Sequence, residues 1–264
     1  MISMFVTDLD GTLLKNNRYI TKEDKEALQL LNKKGVDITI ATGRSDREVQ
    51  AVFKELNITG HRISQNGTFT FSKYNENVFS QVFEEGTSLK LFDFLHAFDF
   101  PCLISNFDNI HYAKEIPMAQ TLQSLFKTPL IYQQDLRNRI EQDFSTSKFM
   151  LLGETSELLS LEKKIISLFD TDVSTFLSAD MCLDIVPKGA DKRRALEALL
   201  NQTGIKKQAT ASIGDGFNDI NMLAYTPHSY VMSSAEPKVK LHGKKTVQHV
   251  YEAVDDLFCH NLIL

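Results

Sequence analysis

Met4-Phe5-Val6-Thr7-Asp8-Leu9-Asp10-Gly11-Thr12-Leu13-Leu14 decides the reading of this chain. Ser3 to Thr7 predicts a buried strand, and two carboxylates two residues apart stand at its mouth. Strand side chains alternate, so Asp8 and Asp10 share a face for as long as the backbone stays extended. Gly11 permits a sharp turn there, and Thr12 is placed to cap the next segment. Two like charges so close repel unless a cation, or a proton held by one of them, separates them. A divalent metal that favours oxygen ligands, such as magnesium, is the simplest resolution. Acid–glycine turns with solvated carboxylates are common, so the surrounding chain has to decide between the two readings.

Outward from this stretch the chain alternates strand and helix. Thr21 to Lys34 predicts a helix capped by Thr21, with Ala27, Leu28, Leu30 and Leu31 as an apolar stripe and Gly35 as its end. Val36 to Ala41 is a second strand. A helix from Ser45 to about Leu56 carries Val49, Val52, Phe53 and Leu56 at helical spacing, and Arg62 to Gln65 is a third strand, ended by Asn66-Gly67. This βαβαβ order predicts an α/β class: a Rossmann-like core with a parallel sheet and helices on its faces.

The order changes after a hairpin, Thr68 to Phe71 with Val78 to Phe83, turning about Asn75. A helix (Ser88 to Phe98), two strands (Cys102 to Ser105 and Ile110 to Ala113), a helix (Met118 to Phe126), a strand (Lys148 to Leu152), a helix (Glu157 to Phe169) and two strands (Val173 to Leu177 and Cys182 to Val186) form an α+β block. Alternation then returns with helix Ala195 to Leu200, strand Ala211 to Ile213, helix Phe217 to Ala224, strand Tyr230 to Met232 and helix Val250 to Phe258. The expected division is a core of residues 1–83 and 185–264, interrupted by an inserted domain of residues 84–184.

Bulk properties exclude several classes. With 264 residues and 42% hydrophobic content, the chain has ample material for a core. Its net charge is -5, from 29 basic and 34 acidic residues without a block of either sign, which disfavours nucleic acid as a partner. No stretch of about 18 apolar residues offers a membrane span. The three cysteines, Cys102, Cys182 and Cys259, are widely spaced and odd in number, which fits a reducing cytoplasm.

Three further polar clusters fall where strands of the parallel sheet should end, the place where open α/β sheets bind ligands. Thr42-Gly43-Arg44 comes after the second strand, and a hydroxyl with a glycine N–H there can hold a phosphate oxygen. In Lys188-Gly189-Ala190-Asp191-Lys192-Arg193, Asp191 is placed to cap a helix. Lys192, unfavourable to the helix dipole in the first turn, wants an anion nearby. Gly214-Asp215-Gly216-Phe217-Asn218-Asp219 joins a strand to a helix with acids and an amide on a glycine-flexed loop, which is good chemistry for a hard cation. The seven histidines show no paired metal-ligand spacing.

DLDGTLL, ATGR, GADKR and GDGFND, in this order, resemble the four motifs of the haloacid dehalogenase superfamily of phosphotransferases. The inserted block resembles the large cap of its Cof-type branch, which is also similar to the sucrose-phosphatase and phosphomannomutase groups. The resemblance implies a magnesium-dependent phosphatase of small phosphate monoesters such as sugar phosphates. Its catalytic residues would be Asp8 as nucleophile, Asp10 as proton carrier and Lys192 as the screening cation. Leu9, Thr42, Gly43, Lys192 and Asn218 would bind phosphate. Asp8, the Asp10 main-chain carbonyl and Asp215 would hold Mg2+, with Asp219 supporting the metal or the lysine. Arg44 and Asn66 are expected as substrate contacts. The cap would close over the core and choose the leaving group, with the loop near Asp180 to Leu183 as the place where specificity would reside. The expected partner is a small phosphorylated metabolite, neither nucleic acid nor membrane, and the chain would act as a monomer or homodimer. Arg193 stands where many Cof-type chains have glycine. The phosphomannomutase group lacks that glycine too, so a phosphosugar mutase is the enzymic alternative, and a phosphometabolite-binding regulator the non-enzymic one.

Overall fold

The computed structural model describes residues 1–263 apart from Met118, Lys127 and Asp180. The first part of the chain runs β1 (Met4–Thr7), α1 (Lys22–Lys33), β2 (Asp37–Ala41), α2 (Asp46–Leu56), β3 (His61–Ser64), β4 (Phe69–Phe71) and β5 (Asn77–Ser80). The middle runs α3 (Glu85–Leu95), β6 (Cys102–Ser105), β7 (Ile110–Tyr112), α4 (Ala119–Leu125), β8 (Leu130–Tyr132), α5 (Leu136–Gln142), β9 (Lys148–Leu152), α6 (Thr155–Phe169), β10 (Val173–Ala179) and β11 (Cys182–Pro187). The last part runs α7 (Lys192–Thr203), β12 (Thr210–Gly214), α8 (Ile220–Tyr225), β13 (His228–Met232), α9 (Pro237–Lys240), β14 (Lys245–Val247) and α10 (Val250–Cys259). Two compact units result: residues 1–80 with 191–264, and residues 81–190. The second boundary lies later than the sequence suggested because β11 runs on to Pro187 within the sheet of the second unit. The first lies at 80/81, because β5 ends at Ser80 instead of reaching Phe83.

The first unit is an eight-stranded sheet of order β14-β13-β12-β1-β2-β3-β4-β5. Six strands, β14 to β3, are parallel, and the β4–β5 hairpin is added antiparallel. Both faces of β1 are buried, which is why it reads as an unbroken apolar run. Phe5 packs with Ile38, Ile213 and the stripes of α1, α2 and α10, including Leu28, Val52 and Val254. Met4 and Val6 point the other way, onto Ala195, Leu196 and Leu199 of α7. Each such side chain, fully buried, contributes about 1.5–3 kcal/mol. The helices start where the sequence signals them. Thr21 accepts from the Asp24 N–H at 3.2 Å, and Ser45 forms a reciprocal capping box with Glu48. From β1 the chain winds one way through β2 and β3, and after its return it winds the other way from β12 to β14. The switch point therefore falls between β1 and β12.

The second unit is a six-stranded sheet of order β10-β11-β9-β6-β7-β8, antiparallel except for the β7–β8 pair. One face packs on α3, α5 and α6 through Leu91, Leu136, Leu158 and Ile165. The other packs Leu103, Ile110 and Met150 against Ile116 and Leu122. Four elements carry too little pattern to be read from sequence. β8 has three residues beside Pro129, α5 buries only Leu136 and Ile140, the four-residue α9 buries only Val239, and β14 buries only Val247. The expected specificity loop includes Asp180, which lies outside the described residues.

Candidate active site

The parallel strands stop in register, and the residues just past them meet. Thr7 pairs with Ile40 on one side and Ile213 on the other, so Asp8, Thr42 and Asp215 succeed three adjacent strand ends. Asp8 does not share a strand face with Asp10, as alternation alone suggested. β1 ends at Thr7, and Gly11 takes a left-handed φ of 79° that turns the chain away. Asp8 goes inward and is buried, while Asp10 remains partly exposed. Gly11 is required twice over, because a Cβ there would also meet the Asp215 Oδ2 atom.

Lys192 sits in the first turn of α7, whose N-cap Asp191 accepts from the Arg194 N–H at 2.9 Å. Its ammonium is fully buried and donates to Asp8 Oδ1 and Asp219 Oδ1, each at 2.7 Å. The anions its place in the helix calls for are therefore these two carboxylates. Burial pushes the Lys192 amine down, but Asp219 and Asp8 outweigh it and hold the group above its ordinary range. Lys188, the other lysine of this segment, lies in the second unit and pairs with Asp170 at 3.5 Å.

Carboxylate oxygens of Asp8, Asp215 and Asp219 lie within 4.8 Å of one another. Burial pushes the Asp8 carboxyl up, Lys192 pulls it down, and the Asp219, Asp215 and Asp10 charges push it up again, leaving it well above the usual carboxylate range. Asp215 is raised to about 6, by burial first and by Asp219, against the hydrogen bond from Thr12. Asp8 and Asp215, each raised by burial and by acids beside it, belong to a donor set that a hard cation would relieve. Their oxygens are not equivalent. Asp219 Oδ2 accepts the main-chain N–H groups of Asp215 (3.0 Å) and Gly216 (2.8 Å), while its Oδ1 accepts Lys192, so this residue fixes the loop and the lysine. Thr12, expected as a helix cap, instead donates to Asp215 Oδ1 at 2.6 Å. Asp8 and Asp215 thus each bring a second oxygen to the cluster.

The remaining expected residues gather beside it. The Leu9 side chain is buried in the core and its carbonyl accepts the Leu14 N–H at 2.8 Å, leaving its main-chain N–H as the group it can offer. Thr42 is buried, its hydroxyl oxygen accepting from the Arg44 N–H at 3.2 Å and its carbonyl from the Asn66 N–H at 2.9 Å. Asn66, at φ 60°, presents Oδ1 to the Asn218 amide at 3.0 Å. A Cβ at Gly43 would stand 3.1 Å from that same Oδ1, so glycine lets the second loop approach closely. Arg44, expected as a substrate contact, forks onto Asp10, Nε to Oδ2 at 2.8 Å and Nη2 to Oδ1 at 2.5 Å. The Asp10 carboxylate is accordingly outside the three-acid cluster. Sequence reasoning missed the Asp215 contact of Thr12, and it missed Asn17, whose Oδ1 accepts the Gly11 N–H at 3.0 Å and whose carbonyl accepts Arg44 Nη2 at 3.0 Å. Two consecutive asparagines in a turn, Asn16 at φ 51° and Asn17 at φ 56°, were the available signal.

A model of the haloacid dehalogenase-like hydrolases matches residues 5–254. An HMP-PP phosphatase of Serratia proteamaculans is 26% identical over 241 residues, covering 91% of this chain and 87% of the relative. A haloacid dehalogenase-like hydrolase from Bacteroides thetaiotaomicron has a similar fold, with a TM-score of 0.85 at 22% identity, covering 98% of this chain and 100% of that one. Another from B. subtilis gives a TM-score of 0.86 at 19% identity, covering 99% and 100%.

Proposed function

Because the chain belongs to the haloacid dehalogenase-like hydrolase family, we propose that it is a magnesium-dependent phosphatase of small phosphorylated metabolites that works through a phosphoaspartate on Asp8. The observation that carries this is the buried Asp8 carboxylate, held by Lys192 at 2.7 Å within a cluster of acids at the sheet's switch point. Asp8 attacks phosphorus and the ester oxygen leaves; a water then attacks the acyl phosphate and frees Asp8 and inorganic phosphate. Asp10 gives the leaving oxygen its proton and later takes one from the attacking water. Lys192 keeps the nucleophile oriented and offsets charge as phosphate approaches, while Thr42, Gly43, Asn218 and the Leu9 main chain bind phosphate oxygens. Asp8 and Asp215, with the Asp10 carbonyl, would hold the magnesium ion, and Asp219 fixes the loop that carries Asp215. When bound, the cation supplies positive charge that offsets the repulsion between nucleophile and phosphate.

Arg193 favours no mutase. It pairs with Glu197 at 3.4 Å and lies over the Tyr225 ring, as a helix-surface residue does. A regulator that only bound phosphate would have no need of both Asp8 and Asp10. The cluster contains groups that handle phosphate and none that would distinguish one alcohol from another, so substrate choice is assigned to the second unit. The cysteines are free, in keeping with a reducing cytoplasm as the working compartment. Among the described residues, no helix is long and apolar enough to cross a membrane. The test is release of phosphate, with and without magnesium, from 4-nitrophenyl phosphate, from a panel of sugar phosphates and, separately, from HMP-PP. Asp8→Asn should lower turnover at least about a thousandfold. Full activity in that variant would sink the assignment of the nucleophile.

A further inference from the structure

Arg44 has three of the five N–H donors of a guanidinium committed inside the protein. Nε and one Nη2 hydrogen fork onto the two oxygens of Asp10, and the other Nη2 hydrogen goes to the Asn17 carbonyl. Nη1 stands 3.7 Å from Glu48, which also caps α2 and so has a fixed place. Asn17 closes the circle, because its side chain holds the N–H of Gly11, the residue directly after Asp10. The guanidinium side chain is only 20% exposed. A substrate ligand at the end of a flexible arm would be more open and less committed.

We propose that Arg44 is a positioning residue for Asp10, held in turn by Asn17 and Glu48, and not a substrate ligand. The proposal rests on Asp10 acting as the proton carrier. A planar, bidentate fork fixes both the direction and the twist of the carboxylate, where a lysine would supply only a point of charge. Asp10 sits on a glycine-turned loop and has no packing of its own comparable to that around Asp8. The Arg44 fork is what gives its oxygens a defined place relative to the leaving group. The motif arginine therefore acts on the proton transfer through another residue.

The leaving group reports on this directly. A 4-nitrophenolate departs without a proton, whereas an alkoxide needs one, so a misplaced acid penalises alkyl phosphates selectively. Phosphoenzyme formation is measured in single turnover, with magnesium present, on 4-nitrophenyl phosphate and on a simple alkyl phosphate. Arg44→Lys should lose about tenfold more on the alkyl ester than on the aryl ester. Asp10→Asn should show the same bias, and Asp10→Asn with Arg44→Lys should be no slower on the alkyl ester than Asp10→Asn alone. Asn17→Gly keeps the left-handed backbone but removes the Gly11 contact; it should show the bias in weaker form and decides the matter if Arg44→Lys fails to fold. Equal losses on both esters, a raised KM and multiplicative losses in the double variant would overturn the proposal and make Arg44 a substrate contact. An Asp10→Asn variant without ester bias would show instead that the reading of Asp10 has failed, and the proposal would fall with it.

Discussion

The two sheets of this protein bury charge in opposite ways. In the first unit, six parallel strands bring their carboxyl ends to one edge, where Asp8, Thr42, Asp215 and the start of α7 converge. Lys192 and the buried acids there are unlike anything a stable core needs, since each ion removed from water costs several kcal/mol before it is paired. In the second unit, strands alternate in direction and their ends are scattered. Among its described residues the buried ion pair is Lys148 with Asp184 at 3.3 Å, carried mid-sheet on β9 and β11. A parallel sheet gathers loops at one edge and can assemble chemistry from many of them; an antiparallel sheet supplies a platform. The largest test of that contrast removes the cation from each unit. Lys192→Met leaves Asp8 and Asp219 without their partner and should cost about 3–5 kcal/mol in urea unfolding. It should also lower phosphatase turnover by about a hundredfold or more. Lys148→Met should cost a similar amount of stability, and adding Asp184→Leu should recover much of it. Loss of all activity in Lys148→Met at unchanged stability would break the contrast, because the second unit would then carry charge for chemistry.

Two glycines sharpen it next. Gly11 and Gly35 both have left-handed φ, 79° and 82°, but only Gly11 has a neighbour in the way. Gly35→Ala should cost about 1–2 kcal/mol of backbone strain and leave turnover alone. Gly11→Ala should cost at least as much and also displace Asp215, so turnover should fall by about tenfold or more in proportion to the lost cation charge at the site. Equal turnover in the two variants would mean that the approach of Gly11 to Asp215 has no part in the reaction.

The same contrast explains what the sequence made legible. Three of the four polar clusters were readable because in a parallel sheet the residue after a strand is, by position alone, a residue of the site; Asp8, Thr42 and Asp215 needed no side-chain geometry to be placed. The cluster of Lys192 was expected at a parallel strand's end too, but the strand before it, β11, belongs to the antiparallel sheet of the second unit, and Lys192 reaches the site from the first turn of α7. The division of their oxygens was not readable. Whether Asp219 or Asp10 joins the three-acid cluster depends on which partners reach them first, Lys192 and two loop N–H groups in one case and Arg44 in the other. Asp8 and Asp10 were expected on one face, but alternation holds only inside a strand, and β1 stops one residue short of Asp8. In the second unit β8 and α5 went unread because three residues, or two apolar positions in a helix of seven, give too little periodicity to register.

A smaller effect separates the thiols of the two units. Cys102, on β6, is buried, and burial pushes its thiol up to about 12. Cys259, at the end of α10, is exposed. Alkylation at about pH 8, read by mass spectrometry, should modify Cys259 first, half-buried Cys182 next, and Cys102 only after unfolding. Early labelling of Cys102 in the native protein would show that the second unit opens far more readily than its packing implies.

The smallest effect belongs to surface charge. On α3, Asp93 accepts two hydrogen bonds from Arg137 of α5, at 2.7 and 2.8 Å, and these hold its carboxyl below the usual range. A carboxyl lowered in the folded state contributes stability above its unfolded value, about 3.9, and loses that contribution as pH falls through the lower folded value. Asp93→Asn should therefore lower Tm slightly near neutral pH, by an amount that shrinks in high salt and vanishes once the pH has fallen through the lowered folded value. Both side chains are about half exposed, so solvent screens the pair and the shift should sit near the limit of measurement. A large shift, comparable to that of Lys148→Met, would mean that the second unit depends on its rim as well as its buried pair, and its sheet would no longer be the simple platform that the contrast with the first unit requires.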